Sequence, residues 1–426
     1  MRRTVALVVL VLLAGLASAA RGADGFRLRA GDRVLFYGDS ITERGLYTAI
    51  VETYALTRYP GLDLTFVNAG WGGDTVRGGA GGPIEVRLAR DVLPHGPTVV
   101  TIMLGMNDRP DGGETNDRRF FEGYAGIVAG VRARLPGVRV TALTPSPFDD
   151  VTRPPEPRRG GNAPLVRFGR WIERHAREAG LEVVDTNAPL VRVLERANEA
   201  DPERARGIIP DRVHPGLAGA LIMAGQLLKA WDARPVVAAA AIDASGAVPE
   251  VLSVEHARVS GLSREGDGGI GWTQLDDALP LPFAAWEAAE DEGPAVSLAI
   301  RCSDVTAALN LQPLRVVGLK EPGYALRIDG APVGAFTSAE LAAGVNLAVL
   351  GTPMAAQAGR VHELTLAHHA VGRARWRQVE VRLAAHDLAE KQAAIVALGA
   401  LEAALVARQR AAARPVPRRF ELVPSR

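Results

Sequence analysis

The chain has 426 residues, long for one ordinary domain and comfortable for two. Apolar residues make up 47% and charged residues 23%, a globular composition that excludes a disordered chain and can bury an ample core. The formal net charge of +1 offers no electrostatic grip on nucleic acid or on an anionic membrane surface, so neither is expected as a partner.

The first residues read as an export signal spanning 1–23. Met1-Arg2-Arg3 is a positive start, Thr4 to Leu16 an apolar stretch, and Ala17-Ser18-Ala19 a small-x-small cleavage site. That stretch is shorter than the roughly 18 residues that span a bilayer, and no later segment qualifies, so no membrane span is expected. The expected location is the periplasm or the medium of a bacterial cell. Cys302 is the only cysteine, which excludes an intramolecular disulfide.

From residue 24 to 233, short β-branched runs alternate with helical patterns. Val34–Tyr37, Leu64–Val67, Val99–Leu104, Val138–Leu143 and Val183–Val184 read as strands. Helices are expected at Leu46–Thr57, Ile84–Val92, Phe120–Leu135, Leu165–Ala179 and Gly216–Trp231. Such alternation predicts parallel βαβ units, hence an α/β fold with a three-layer α/β/α parallel sheet.

Trp231-Asp232-Ala233-Arg234-Pro235 reads as a seam, because the alternation stops at Val236. A mostly β accessory domain is expected over 236–385. Its segments are Ala239–Ala244, Val251–Ser260, Ile270–Leu275, Val296–Ile300, Leu314–Val317 and Ala325–Ile328, with a hairpin turn at Asp329-Gly330 and a short helix near Ser338–Ala343. Residues 386–426 read as a C-terminal helix and an extended tail. Ile395, Leu398, Leu401 and Leu405 mark one helix face, expected to pack as core, and the chain beyond Pro415 is expected to form a strap.

Four motifs carry chemistry: Gly38-Asp39-Ser40-Ile41, Asn68-Ala69-Gly70-Trp71-Gly72-Gly73-Asp74-Thr75, Gly105-Met106-Asn107-Asp108 and Asp211-Arg212-Val213-His214-Pro215. The first three follow the first three predicted strands, where open α/β sheets place their ligand crevice. Ser40 lies at a strand-to-helix turn that exposes a hydroxyl and lets its backbone N–H face an oxyanion. Asp211 and His214 are three apart, so on a tight turn the carboxylate can orient one imidazole nitrogen while the other meets the serine. The side-chain amide of Asn107 can add an oxyanion donor. No Gly-x-Ser-x-Gly elbow is present, which disfavours the commoner α/β-hydrolase arrangement.

In these residues the chain resembles the SGNH hydrolases, or GDSL esterase family, over roughly residues 30–232. The family's serine, glycine, asparagine and histidine are matched by Ser40, Gly73, Asn107 and His214. The resemblance implies a serine ester hydrolase with Ser40, Asp211 and His214 as catalytic residues. Ser40, Gly73 and Asn107 would form its oxyanion hole. Asp39 and Trp71 are candidate substrate-binding residues; Trp71 departs from the smaller aliphatic residue common there, and either walls the acyl pocket or packs. His362, His368, His369 and His386 show no carboxylate or cysteine partner at zinc-like spacing, so no metal and no cofactor are expected.

The expected substrate is a small-molecule or polysaccharide ester, above all an O-acetyl group on carbohydrate, because the loops beside the motifs, 109–117 and 152–161, are polar and suit a wet cleft. A lipase, lysophospholipase or thioesterase is the same-class alternative. A glycan-binding or acyl-transfer protein is the other.

Overall fold

The computed structural model describes residues 25–109, 113–155, 161–266 and 268–425. The expected export signal and parts of both polar loops lie outside these residues.

The first half runs β1 (Arg33–Gly38), α1 (Ser40–Glu43), α2 (Leu46–Arg58), β2 (Thr65–Gly70), β3 (Val99–Met103), α3 (Glu114–Arg134), β4 (Arg139–Leu143), α4 (Ala163–Ala179), β5 (Glu182–Val184), α5 (Ala188–Ala200) and α6 (Leu217–Ala230). The strands pair in the order β2-β1-β3-β4-β5, all parallel. β1 and β3 are apolar on both faces because helices cover both sides of the sheet; Val34, Leu35, Val100 and Ile102 are fully buried. α4 instead shows a stripe, with Leu165, Phe168, Ile172 and Ala176 turned inward. The chain order reverses between β1 and β3, so their carboxyl ends open the crevice that the motifs line.

The second half runs β6 (Ala239–Asp243), β7 (Glu250–Glu255), β8 (Ala257–Arg264), β9 (Ile270–Asp276), α7 (Gly293–Arg301), β10 (Pro313–Val317), β11 (Gly323–Ile328), β12 (Ala331–Thr337), α8 (Ser338–Ala343), β13 (Val345–Asn346), α9 (Pro353–Arg373), α10 (Ala389–Ala412) and β14 (Arg418–Pro424). One sheet has the order β8-β9-β14-β11-β12 and is antiparallel throughout. A second sheet has the order β13-β10-β6-β7. Asp329 and Gly330 both take positive φ, at 54° and 76°, and turn β11 into β12 as the Asp-Gly pair predicts.

Several expectations are corrected here. Val296–Ile300 is not a strand but the body of α7, which turns Val296, Leu298 and Ala299 inward. The run Val251–Ser260 is two strands, broken where His256 takes a φ of 50°. The chain beyond Pro415 is no strap: β14 is the middle strand of its sheet, with Phe420 and Leu422 buried. The stripe on α10 is only partly covered, since Leu401 remains 47% exposed while Gln409 is the side chain that α10 buries.

Two features join the halves. Leu281, Phe283, Val296, Leu298, Val305 and Leu309 lie beyond the seam yet belong to the same core cluster as the parallel sheet. The unexpected long helix α9, continued as a π-helix over Ala374–Val381, runs along α2; Leu56 of α2, Val361 of α9 and Ala413 beside α10 form a small cluster of their own.

Candidate active site

β1 ends at Gly38, and the chain turns directly into α1. The Asp39 side chain accepts from Ile41 N–H at 2.9 Å and caps this single turn, which leaves Ser40 at its first position. The N–H groups of a first turn have no intrahelical acceptor, so that of Ser40 is directed out of the helix. α1 sits very close to β2: a Cβ on Gly70 would lie 2.2 Å from the Glu43 nitrogen, so only glycine fits there. Asn68 on β2 donates its amide to the Thr42 carbonyl at 2.6 Å and ties the two together.

Ser40 Oγ lies 2.8 Å from His214 Nε2, and His214 Nδ1 lies 2.7 Å from Asp211 Oδ2. The other Asp211 oxygen accepts the backbone N–H of Val213 at 3.0 Å and of His214 at 2.7 Å. Burial opposes ionisation of Asp211, but these hydrogen bonds outweigh it and hold the carboxyl below the ordinary range. The short turn needs Arg212 at a φ of 71°, a left-handed conformation uncommon for a residue with a side chain. Its carbonyl accepts Asp149 N–H at 2.9 Å, so the loop after β4 braces the turn. With the proton on Nδ1 facing Asp211, Nε2 is free to accept the serine proton.

Gly73 follows β2 in the Gly-rich loop, with a φ of 78° and open space where a side chain would stand. A Cβ on the preceding Gly72 would lie 3.8 Å from Ser40 Cβ, which places this loop against the serine. Asn107, after β3, donates to the Asp74 carbonyl at 2.9 Å, and its amide carries a second hydrogen for another acceptor. The structure thus brings Ser40, His214 and Asp211 into one hydrogen-bonded line, with Gly73 and Asn107 on the same rim.

The two candidate substrate-binding residues fare differently. Asp39 is 1% exposed and spends its carboxylate on capping, so it lies beneath the serine with no surface for a substrate. Burial, reinforced by Asp108 and Asp74, pushes its pKa up to about 7, and burial also raises Asp108 to about 7. Burial thus disfavours the charged form of both carboxyls. Trp71 packs: it is 8% exposed, with the Arg377 guanidinium 3.4 Å from its ring centroid and the Trp376 ring edge-on at 5.5 Å.

A buried scaffold behind the loop escaped the sequence. Arg87 pairs with Asp74 at 2.6 Å, donates to the Ala69 carbonyl at 2.8 Å and also pairs with Asp91, all three charged side chains being fully buried. The i,i+4 spacing of Arg87 and Asp91 was the available signal. Glu43, three residues after Ser40, accepts Gly72 N–H at 2.6 Å.

Two of the second-half histidines, His368 and His369, do find a carboxylate, contrary to expectation. It is Glu52 of α2, 2.7 Å from His369 Nε2 and 3.6 Å from His368 Nδ1. Among the described residues these three could hold a metal ion, their ligand atoms lying within 4.8 Å of one another. Glu52 also accepts Gln409 Nε2 at 2.8 Å, so the cluster closes as a carboxylate–imidazole junction between α2, α9 and α10. A cavity of about 440 Å³ beside it, between β2 and α9, is lined by Glu43 and Gly70 but by neither Ser40 nor His214. Among the described residues no helix is long and apolar enough to cross a membrane.

The GDSL-like lipase/acylhydrolase family model matches residues 36–222. An acetylxylan esterase from Geobacillus stearothermophilus is 28% identical over 224 residues, covering 48% of this chain and 95% of that protein. A gut microbial diltiazem-metabolizing enzyme, BT4096, superposes with a TM-score of 0.78 at 23% identity, over 96% of this chain and 99% of that one, so the fold is shared through the second half as well. A solved structure of the Geobacillus stearothermophilus acetylxylan esterase Axe2 gives a TM-score of 0.39 at 26% identity, over 47% of this chain and 94% of that one.

Proposed function

We propose, for a chain whose residues 36–222 belong to the GDSL-like lipase/acylhydrolase family of serine ester hydrolases, that Ser40, His214 and Asp211 form its catalytic triad and that it removes O-acetyl groups from carbohydrate. The observation that carries the triad is the continuous line from Asp211 through His214 to Ser40 at the carboxyl rim of the sheet.

Ser40 Oγ attacks the ester carbonyl carbon as His214 Nε2 takes its proton. The carbonyl oxygen becomes an oxyanion, which receives the backbone N–H groups of Ser40 and Gly73 and the free side-chain N–H of Asn107. Collapse breaks the bond to the alcohol oxygen, which leaves with the proton from His214. Water then repeats the sequence, with His214 as base, and releases the acid and free Ser40. Asp211 stays ionised and stabilises the imidazolium formed in each half.

Three features support the acetyl-carbohydrate reading: the relative named as an acetylxylan esterase, the polar sequence of the segments that follow the motifs, and Trp71 being committed to packing rather than to a long acyl trough. The amino-terminal segment of 1–23 is proposed to direct export. A hydrolase of lipid esters would gain about 0.8 kcal/mol for each buried methylene until its trough was full. The test is kcat/KM on p-nitrophenyl esters from acetate to octanoate, with acetate release from acetylated xylan. A fall along the series together with released acetate is expected; a rise toward octanoate with no acetate from polysaccharide contradicts the reading.

A further inference from the structure

We infer that the helical arm formed by α9 and its π-helical extension is a positioning element for the oxyanion loop, with Arg377 acting through Glu43 and Trp71 on the Gly72–Gly73 backbone. The inference rests on the proposed role of Gly73.

The Gly73 N–H direction is set by the backbone on either side of it, and glycines impose no preference of their own. Orientation must therefore come from what holds their neighbours. On the far side, the Asp74 carboxylate is fixed by Arg87 and the Asp74 carbonyl by Asn107. On the near side, Gly72 N–H is held by Glu43 Oε2 at 2.6 Å, and the Trp71 ring lies against Trp376, Arg87, Arg90 and Arg377.

Trp71 is held in its backbone by the Gly38 carbonyl, which accepts its N–H at 2.9 Å, and by Asp74 N–H, which donates to its carbonyl at 3.1 Å; Glu43 and the Trp71 ring lead on to the arm. Glu43 Oε1 meets Arg373 at 2.9 Å and Arg377 at 3.0 Å, and the Glu43 side chain is only 13% exposed. A carboxylate so far withdrawn from water is held in place by its cations; without them, rotation to solvent is favoured and Gly72 N–H is released. Arg377 simultaneously lies over the Trp71 ring at 3.4 Å. Its planar, weakly hydrated guanidinium can stack and pair together, which a lysine cannot do. Trp376, next along the arm, meets the edge of Trp71 and donates Nε1–H to Asp91 Oδ1 at 2.8 Å, and Asp91 in turn pairs with Arg87. One turn of the arm thus touches both the near-side and the far-side support of the loop.

Among the described residues, Arg373, Trp376 and Arg377 make no hydrogen bond or ion pair with Ser40 or His214, so the arm acts through the loop. Misaligning an oxyanion donor affects the transition state more than substrate binding. The test compares wild type with Arg377→Ala, Arg377→Lys and Glu43→Gln in the full chain, using p-nitrophenyl acetate and a trifluoromethyl ketone that forms a tetrahedral adduct. Arg377→Ala is expected to lower kcat by about 10- to 100-fold with KM within about twofold, and to weaken the ketone in parallel. Arg377→Lys, which keeps the charge but not the stacking, should recover part of the loss; Glu43→Gln, which keeps an acceptor for Gly72 but not the ion pairs, should fall between. If Arg377→Ala fails to fold, the latter two variants decide. A KM effect at constant kcat, or wild-type kinetics in all variants, overturns the inference. Failure of the underlying triad is distinguishable, because it appears as retained turnover in Ser40→Ala whatever Arg377 does.

Discussion

Asn107 holds the Asp74 carbonyl with one amide hydrogen and has the other available at the rim, so its loss would remove a donor and loosen the loop that carries Gly73. Asn107→Ala is therefore expected to lower kcat by roughly 10²–10³ with little change in KM, checked by steady-state kinetics on an activated ester; a pure KM effect would make Asn107 a ground-state contact. The positions of such residues are legible because their pattern is local: Ser40 opens the turn after β1, Asn107 follows β3, and Asp211 and His214 are three apart. Glu43 and Arg377 were not legible, since an ion pair between residues so distant in the chain leaves no pattern in either segment. Asp39, a candidate substrate contact by resemblance, instead turns its carboxylate back into its own helix as an N-cap, which its place beside the serine does not reveal.

At the scale of elements, α9 is joined to α2 by a polar junction as well as by packing. Thr53 Oγ1 lies 2.9 Å from His362 Nδ1, and Glu52 meets His368, His369 and Gln409. Burial works against the Glu52 carboxylate, but the two imidazoles outweigh it and bring its pKa from 4.5 down to about 2. A carboxylate with a lowered folded pKa stabilises fully above its unfolded value and loses that contribution as pH falls through the folded one. His368 is raised against the effect of burial by Glu52, so its share is present below its unfolded pKa of 6.5 and lost as pH rises through the folded value. Together they make the junction strongest between about pH 4.5 and 6.5. Glu52→Gln is expected to cost about 3 kcal/mol there, with the difference from wild type shrinking as pH falls from about 4.5 toward about 2, as read by urea unfolding across that range. A difference independent of pH would contradict this. The sequence hid these elements for physical reasons. The short apolar run in α7 fits a strand or a buried helix equally, and α9 shows no single apolar stripe because it packs against α2 on one side and α10 on another.

For the whole molecule, the pattern changes near Ala233, yet the contacts that cross that point leave no mark in the sequence. The fully buried Arg58 donates to the Arg234 carbonyl at 2.7 Å and to the Leu309 carbonyl at 2.9 Å, so α2 grips the chain both at the seam and far past it. The last strand completes a sheet whose other members were made earlier in the chain, and such non-local pairing cannot be read from local periodicity. Phe420 stacks on Trp272 at 5.2 Å in the second core. Phe420→Ala is expected to destabilise that core by about 3–5 kcal/mol, seen as an earlier transition in chemical denaturation; an unchanged midpoint would mean that β14 is dispensable.

The central claim is that ester hydrolysis proceeds through Ser40. The most direct measurement is labelling of the full chain with an organophosphonate, followed by peptide mass mapping, in wild type and Ser40→Ala. The account predicts one modified residue, Ser40, with labelling and turnover of an activated ester both abolished in the variant; modification of another serine, or a full rate in Ser40→Ala, would contradict it.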